Sequence, residues 1–140
     1  MKSDNNGGIG INNFYVVVSD SKLSVSGNGS HGYTNVALTA ENSTLNFDRN
    51  AYIGLNVTKL NSEEDSTRIE DSTVYAQDNG GPGIRFYIGG TDTEITSSKI
   101  YANGNGAGED TYGYTVKPGD SGYWAGIVGK GNVTLTDSFV

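Results

Sequence analysis

One short motif recurs four times along the chain with unchanged spacing: a serine, an aliphatic residue two positions later, and an asparagine seven positions after the serine. The four copies join the following pairs: Ser21 and Asn28, Ser43 and Asn50, Ser72 and Asn79, and Ser98 and Asn105. Counted from a partial copy at Asn6, successive asparagines are 22, 22, 29 and 26 residues apart. A basic unit of about 22 residues that tolerates insertions predicts a solenoid, in which each repeat packs on its neighbours.

Each repeat contains three short stretches with the alternation of a β-strand. The first starts at the motif serine, the second follows the glycine-rich turn after the asparagine, and the third leads into the next serine. Because successive strand residues point to opposite faces, we expect Val74 and Ala76 to point inward and Thr73 and Tyr75 outward. Stacking then predicts an inward apolar ladder of Leu23, Leu45, Val74 and Ile100 and an asparagine ladder of Asn28, Asn50, Asn79 and Asn105. Asparagine suits that position because it tolerates a left-handed backbone and its amide can bond along the stack.

The composition argues against several other classes of protein. The chain has no Cys and one His, which excludes disulfide frameworks, thiolate metal sites and histidine-cluster metal sites. The formal net charge of −7 disfavours nucleic acid as a partner, since that binding neutralises phosphates with Lys and Arg. An anionic membrane surface is disfavoured for the same reason, and no apolar run approaches the ~20 residues that span a bilayer.

With these matched motifs, the chain resembles the right-handed parallel β-helix, or pectin-lyase-like, superfamily from Asn6 to Val140. The resemblance implies an all-β fold with one β-solenoid domain over residues 1–140 and about five to six coils of roughly 22 residues with insertions. The Cys-free, Asn-, Gly- and Thr-rich character is most similar to bacterial surface adhesins and autotransporter passengers. This likeness implies an extracellular location, secreted or on the cell surface. Because the sequence begins and ends inside a repeat, we expect it to be a piece of a longer repeat protein.

The largest departure from regularity is an insertion of residues 107–125. In three repeats the next inward aliphatic residue follows the turn asparagine after five positions, but the distance from Asn105 to Ile127 is 22. The insertion holds the single tryptophan, Trp124, and three of the nine tyrosines: Tyr112, Tyr114 and Tyr123. Exposed Tyr and Trp rings are typical contacts for sugars and for protein partners. The alternative is that these rings fold back and cover the side of the solenoid.

Carboxylate clusters give only weak candidates for a metal site. Glu63, Glu64 and Asp65 lie together in a second, acidic insertion. Calcium needs six to eight oxygens that converge from several directions, so a solvated loop is the simpler interpretation. Asp110 and Asp120 in residues 107–125 are similarly weak candidates. We therefore predict no metal and no cofactor, with Ca²⁺ as the alternative.

Two tyrosines on the first β stretch are further candidates for ligand binding. Tyr75 and Tyr101 occupy equivalent outward positions in adjacent repeats, so we expect their rings to stack. With Arg85 and Tyr87 on the neighbouring stretch they could form a shallow binding strip. The alternative is cross-strand pairing that only stabilises the sheet.

The residue before each ladder serine forms another column, consisting of Asp20, Asn42, Asp71, Ser97 and Asp137. Aspartate there is interpreted as a turn former that bonds to nearby backbone. A hydrolytic pair would need two carboxylates ~5–9.5 Å apart in a cleft, and Asp20 and Asp71 are the pair considered. Pectate lyases of the resembled family use Asp-bound Ca²⁺ and an Arg base. No arginine lies beside an outward Asp column here, so we assign no catalytic residue.

The leading hypothesis for function is non-catalytic adhesion or recognition, in which a β-helical stalk presents the aromatic insertion to a glycan or a host surface protein. A fragment of a polysaccharide lyase or glycoside hydrolase is the second hypothesis, and a purely structural spacer is the third. Stacked repeats expose open strand edges at both ends, which predicts end-to-end self-association.

Overall fold

The computed structural model of the chain describes residues 1–58, 66–87, 93–106, 126–130 and 133–139. Within these ranges the regular elements are twelve β-strands, and every pair of strands is parallel. The strands are β1 (Ile11–Ser19), β2 (Lys22–Ser24), β3 (Tyr33–Glu41), β4 (Thr44–Asn46), β5 (Leu55–Thr58), β6 (Thr67–Glu70), β7 (Thr73–Tyr75), β8 (Ile84–Tyr87), β9 (Thr93–Thr96), β10 (Lys99–Tyr101), β11 (Ile127–Lys130) and β12 (Val133–Thr136). This all-β architecture of stacked parallel strands is compatible with a parallel β-helix.

The strands form two sheets. The first β stretches of the repeats make a four-stranded sheet in the order β10-β7-β4-β2. The remaining strands make an eight-stranded sheet in the order β11-β8-β5-β3-β6-β9-β12, with β1 paired to β3. Strand β3 is the branch point, because its first half pairs with β5 and its second half with β6. Neighbours in each sheet are one repeat apart, as the sequence period predicts.

The prediction of three β stretches per repeat is wrong for the first two repeats. There the second and third stretches form one continuous strand of nine residues, β1 or β3. In the later repeats residues 59–66, 88–92 and 131–132 separate the two stretches. Each later pair stays in register with the two halves of β3, so the additional residues split a strand without changing its pairing.

The core lies between the sheets and consists of stacked inward side chains. Leu23, Leu45, Val74 and Ile100 are paired in register and each is at most 1% exposed, as predicted. Val74 and Ala76 are buried and Thr73 and Tyr75 are partly exposed, so the predicted faces are confirmed. Tyr33 and Phe47 are fully buried rings that meet edge to face with centroids 5.9 Å apart. Apolar burial of this kind drives association of successive repeats.

Two sharp corners recur in every repeat, and each has one residue in the left-handed backbone conformation. At the serine corner these residues are Asp20, Asn42, Asp71, Ser97 and Asp137, with φ between 44° and 49°. At the asparagine corner they are Asn5, Gly27, Arg49, Asp78 and Gly104, with φ between 55° and 69°. The left-handed residue therefore precedes the ladder residue. This corrects the expectation that the ladder asparagine itself adopts that conformation. It confirms that aspartate occupies the turn at the serine corner, while its bonding to nearby backbone stays a prediction.

The asparagine ladder joins consecutive repeats through side chains. Asn28 donates from its backbone N–H and from Nδ2 to Oδ1 of Asn50, at 3.1 and 2.9 Å. Asn50 bonds to Asn79 in the same way, and Asn79 bonds to Asn105. The Nδ2 atom of Asn50 also donates to the Val25 carbonyl at 3.1 Å. The amide thus bonds along the stack, as predicted.

A column of glycines that the sequence did not lead us to expect packs directly against the asparagine amides, where a side chain would not fit. It contains Gly10, Gly32, Gly54 and Gly83. A Cβ atom on Gly54 would lie 2.7 Å from Nδ2 of Asn79 and 2.6 Å from the Phe47 carbonyl oxygen. Side-chain and backbone packing together therefore require glycine at this position.

Candidate ligand-binding face

The outward face of the four-stranded sheet carries the sequence-predicted site residues that the structure describes. Pairing in register arranges its side chains in two columns, one made of Lys22, Thr44, Thr73, Lys99 and Phe139 and the other of Lys2, Ser24, Asn46, Tyr75 and Tyr101. We call these ten positions the tyrosine face. The middle residue of each three-residue strand points into the core, which leaves the first and third residues to face solvent.

Tyr75 and Tyr101 stack as predicted. Their ring centroids are 5.1 Å apart and the ring planes differ by 12°. The ring of Phe139, which belongs to the neighbouring column, contacts Tyr101 with centroids 6.0 Å apart and planes tilted by 52°. Because each tyrosine covers one face of the other, the pair stabilises the sheet and presents hydroxyl-bearing edges to solvent. The ring face of Tyr75 that points away from Tyr101 borders the smaller Asn46, which leaves that side of the ring open to a ligand.

The tyrosine face is cationic on an acidic protein. Its ten positions include Lys2, Lys22 and Lys99 and no Asp or Glu, although the chain as a whole has a net charge of −7. On the eight-stranded sheet, Glu41 and Glu70 end β3 and β6 and are neighbours in register, and Glu94 in β9 lies beside Arg68. The eight-stranded sheet thus carries both carboxylates and cations, Arg68 and Arg85 among them, whereas the ten positions of the tyrosine face carry cations alone.

A shallow depression at one end of the tyrosine face concentrates the positive charge. Its lining residues are Met1, Lys2, Asp4, Lys22, Ser24, Asn46 and Arg49. Within the described part of the chain, neither Lys22 nor Arg49 forms an ion pair. We call this surface the basic depression. It adjoins Tyr75, because Asn46 and Tyr75 are neighbours in register.

The lining of the basic depression includes one carboxylate, that of Asp4, against the three cations of Lys2, Lys22 and Arg49. Ser24 Oγ donates to both carboxylate oxygens at 2.9 and 3.1 Å, and the Ser26 N–H donates to one at 2.9 Å. The ammonium of Lys2 lies 3.2 Å away. Burial raises the pKa of Asp4, but these hydrogen bonds and Lys2 together outweigh burial and lower the pKa below 3.8. The carboxylate therefore remains ionised at neutral pH.

The predicted strip that combined the tyrosines with Arg85 and Tyr87 extends over two different sheets. Both Arg85 and Tyr87 belong to β8 in the eight-stranded sheet. The Arg85 Nε donates to Oδ1 of Asn56 at 2.8 Å, and Asn56 Nδ2 donates to Oγ1 of Thr34 at 2.7 Å. These bonds tie Arg85 to its own sheet, so the described candidate surface consists of the tyrosine face alone.

The other predicted site residues lie outside the described residues. These are Tyr112, Tyr114, Tyr123, Trp124, Asp110 and Asp120 in residues 107–125, and Glu63, Glu64 and Asp65 in the second insertion. The chain resumes its register directly after residues 107–125, since Ile127 pairs with Ile84. Whether these residues contact a ligand or a metal stays a prediction.

The two carboxylates considered as a hydrolytic pair, Asp20 and Asp71, both lie at the serine corner. Asp20 and Asp71 hold left-handed turns at the serine corner, and Asp20 accepts a 2.6 Å hydrogen bond from Asn42 Nδ2. No group of three His, Cys, Asp or Glu that could hold a metal ion occurs among the described residues. The described ranges likewise contain no helix long and apolar enough to cross a membrane.

Sequence reasoning missed the basic depression. Lys2, Lys22 and Arg49 are far apart in the chain, and only the strand register brings them together. The signal was nevertheless present, because Lys2 is 22 residues before Ser24, and that distance is one basic repeat.

Comparison of the chain with family models, with curated proteins and with solved structures found no match.

Proposed function

We propose that the chain is a non-catalytic recognition module that binds an anionic glycan at the basic depression and the adjoining ring of Tyr75. The observation that carries the proposal is the local reversal of charge. A protein with a net charge of −7 has one sheet face whose ten positions include three lysines, no Asp or Glu and two partly exposed, stacked tyrosines, with Asp4 as the one carboxylate in the adjoining depression. Such a face favours a ligand that combines negative charge with an apolar ring surface.

The proposed binding mode uses the size difference between neighbouring residues. One sugar ring packs on the open side of Tyr75, above the smaller Asn46 and Ser24. Its carboxylate or sulfate group lies between Lys22 and Arg49, which the described structure leaves without ion-pair partners. No bond is made or broken, so the module holds its ligand through stacking and charge-assisted hydrogen bonds.

At the level of the whole molecule, we propose a right-handed parallel β-helix of the pectin-lyase-like type with about five to six coils. The parallel pairing and the one-repeat register support this proposal, as does the strong preference of parallel crossovers for the right hand. The module would belong to a bacterial adhesin on the cell surface or in the extracellular space. Residues 107–125 would extend the contact with Tyr112, Tyr114, Tyr123 and Trp124.

Glycan-array binding, followed by calorimetry on a uronate- or sulfate-bearing glycan that binds, tests the proposal. We expect Tyr75→Ala to weaken binding about tenfold and Lys22→Ala about two- to fivefold. Arg68→Ala is the matched control, because Arg68 is an exposed cation on the other sheet, where it pairs with Glu70 at 2.6 Å. Binding should also weaken as salt is raised, since the contacts are partly ionic.

The variants separate this surface from the aromatic insertion. Trp124→Ala measures the contribution of residues 107–125 independently of the tyrosine face. Binding of neutral glycans only, or equal loss of affinity in the Arg68→Ala control, would contradict the proposed site. No glycan binding would favour the spacer, and release of unsaturated or reducing sugars from the ligand would favour an enzyme.

A further inference from the structure

Two tyrosines of successive repeats lie side by side in the four-stranded sheet. Tyr75 ends β7 and Tyr101 ends β10, and the two residues are paired in register. Neighbouring strands lie about 4.7–4.9 Å apart, so the two rings leave the sheet next to each other. Their centroids are 5.1 Å apart and their planes differ by 12°. Because stacked carbon atoms touch at about 3.5–4.0 Å, the longer centroid distance means that the rings are offset, with an edge of one ring over the other.

Both rings are held at the surface by a fixed backbone. Strands β7 and β10 each bury their middle residue, and Tyr75 and Tyr101 are partly exposed on the outward side. The Tyr75 carbonyl accepts the Phe47 N–H at 2.7 Å, and the Tyr101 carbonyl accepts the Ala76 N–H at 2.8 Å. A dissolved oxidant can therefore reach the two phenols while the sheet stays folded.

No other tyrosine in the described part of the chain has a tyrosine as its neighbour in register. Those in strands pair with residues of other types: Tyr15 with Ala37, Tyr33 with Ile11 and Leu55, and Tyr87 with Thr58 and Lys130. Tyr52 lies at a turn, where its backbone bonds to Ser30 and Gly81. Among the described residues, the register thus creates one adjacent pair of phenols.

Two adjacent phenols can be joined by one-electron oxidation. The oxidant takes one electron from each ring, and each hydroxyl group releases its proton, which leaves two tyrosyl radicals. The radicals form a carbon–carbon bond between ring positions ortho to the hydroxyl groups. The hydrogen on each bonded carbon then moves to the oxygen of its own ring and restores the phenol. With a peroxidase as the one-electron carrier, the two electrons and two protons convert one hydrogen peroxide molecule into two water molecules.

We propose that Tyr75 and Tyr101 are a site of oxidative cross-linking, at which a peroxidase and hydrogen peroxide join them as dityrosine. The stacked rings have to tilt until their edges meet, and their partly exposed positions leave room for that movement. The bond closes a loop over residues 75–101 and fastens one repeat to the next. Because the closed loop restricts the unfolded chain, the cross-link stabilises the folded state. The reaction needs no glycan, so it is independent of the proposed recognition function.

Treatment of the folded protein with a peroxidase and hydrogen peroxide, at micromolar protein concentration, tests the proposal. Dilution favours coupling within one molecule, because the sheet holds the two rings at a much higher effective concentration. We expect dityrosine fluorescence, a monomeric band on a denaturing gel and an intact mass lower by two hydrogen atoms. Proteolysis and tandem mass spectrometry should then find Tyr75 linked to Tyr101.

Phenylalanine variants keep the rings and remove the chemistry. Tyr75→Phe and Tyr101→Phe preserve two stacked rings, but phenylalanine forms no phenoxyl radical, so each variant should lose the link. Tyr52→Phe is the matched control, because Tyr52 is also partly exposed but has no tyrosine beside it in register. This control should give the same dityrosine yield as wild type. Circular dichroism checks that all three variants keep the fold.

Thermal unfolding measures the consequence of the cross-link. The midpoint of treated wild type should be about 5–10 °C above that of untreated protein, and treated Tyr75→Phe should show no such shift. Treated wild type without a link between Tyr75 and Tyr101, or a Tyr75→Phe variant with the dityrosine yield of wild type, would overturn the proposal. Equal yields of links from Tyr75 to other tyrosines would overturn it as well, since the register would then not direct the coupling.

Discussion

The asparagine corner and the serine corner have the same backbone arrangement but different side chains. Both reverse the chain through one left-handed residue, and both follow it with a buried polar residue that receives an N–H from the preceding repeat. At the serine corner Ser72 Oγ accepts the Ser43 N–H at 3.0 Å and donates to the Glu70 carbonyl in its own turn at 2.6 Å. At the asparagine corner the Asn50 amide contacts two other repeats.

The difference shows what the longer side chain adds. A hydroxyl has one hydrogen to donate, and the serine uses it two residues back in its own turn. The asparagine amide has two, and Asn50 donates to Asn79 and to the Val25 carbonyl on the opposite side. Both corners therefore join repeats, but the asparagine corner does so more strongly, since the serine hydroxyls reach a carbonyl of the preceding repeat only in longer contacts, such as Ser43 to Val18 at 3.3 Å.

Removing one internal asparagine amide is the strongest test of this contrast. Asn50→Ala leaves the Asn28 N–H and the Val25 carbonyl without their partners in a site that is 1% exposed. We expect a loss of about 3 kcal/mol in the free energy of unfolding, measured by urea denaturation at 25 °C. Asn46→Ala on the outward tyrosine face is the control and should change stability by less than about 0.5 kcal/mol. Equal losses in the two variants would show that the buried hydrogen bonds of Asn50 stabilise the fold no more than the outward side chain of Asn46 does.

The sequence was sufficient to predict the ladders, the inward columns and the stacked tyrosines, because each depends on the period alone. Ser72 and Asn79 recur at fixed distances, and side-chain alternation then fixes which residues point inward. The period could not reveal that β1 and β3 are continuous, since the same residues form one strand or two depending on what lies between the two halves. The basic depression was also missed, because it depends on how Lys2 and Arg49 are placed relative to the sheet.

Glycine at the asparagine corner provides the second largest expected effect. Gly54→Ala would place a Cβ atom within 2.7 Å of Asn79 Nδ2 and of two backbone oxygens, so the ladder or the backbone has to move. We expect a loss of about 2 kcal/mol, measured by urea denaturation, because overpacking of a tight site typically has a cost of this size. Gly7→Ala is the matched control, since a Cβ atom there meets nothing within 4 Å. A harmless Gly54→Ala would show that the ladder is not tightly packed.

Deleting one serine hydroxyl should have a smaller effect than deleting one asparagine amide. Ser72→Ala leaves the buried N–H of Ser43 without its acceptor, but the hydrogen bonds of the asparagine ladder between adjacent repeats stay intact. We expect a loss of about 1.5 kcal/mol in urea denaturation. Thr73→Ala, one residue later and partly exposed, controls for changes in strand propensity. If Ser72→Ala were as damaging as Asn50→Ala, the proposed division of roles between the corners would be wrong.

At the left-handed positions a substitution is expected to stabilise the protein, unlike the substitutions above. Arg49 has a φ of 55°, in a column that holds glycine at Gly27 and Gly104. Arg49→Gly should relieve this backbone conformation and stabilise the protein by about 0.5 kcal/mol, after the entropy of glycine in the unfolded chain is subtracted. Asp71→Gly at the serine corner should gain less, because aspartate tolerates the left-handed region. Thermal unfolding of both variants measures the difference, and a destabilised Arg49→Gly would indicate that the Arg49 side chain makes a stabilising contact.

The smallest expected effect concerns the carboxylate of Asp4, one residue before the left-handed Asn5 of the asparagine corner. Since folding lowers the pKa of Asp4 below 3.8, its ionised form stabilises the folded state, fully above the unfolded pKa and progressively less as pH falls through the folded pKa. The thermal midpoint of wild type should therefore slightly exceed that of Asp4→Asn at pH 7, and the gap should close in more acidic solution. Asp137→Asn, at an exposed turn, serves as the control for the general loss of negative charge. If the difference in thermal midpoint persisted unchanged to pH 2, the packing of the Asp4 side chain, and not its charge, would be what stabilises the asparagine corner there.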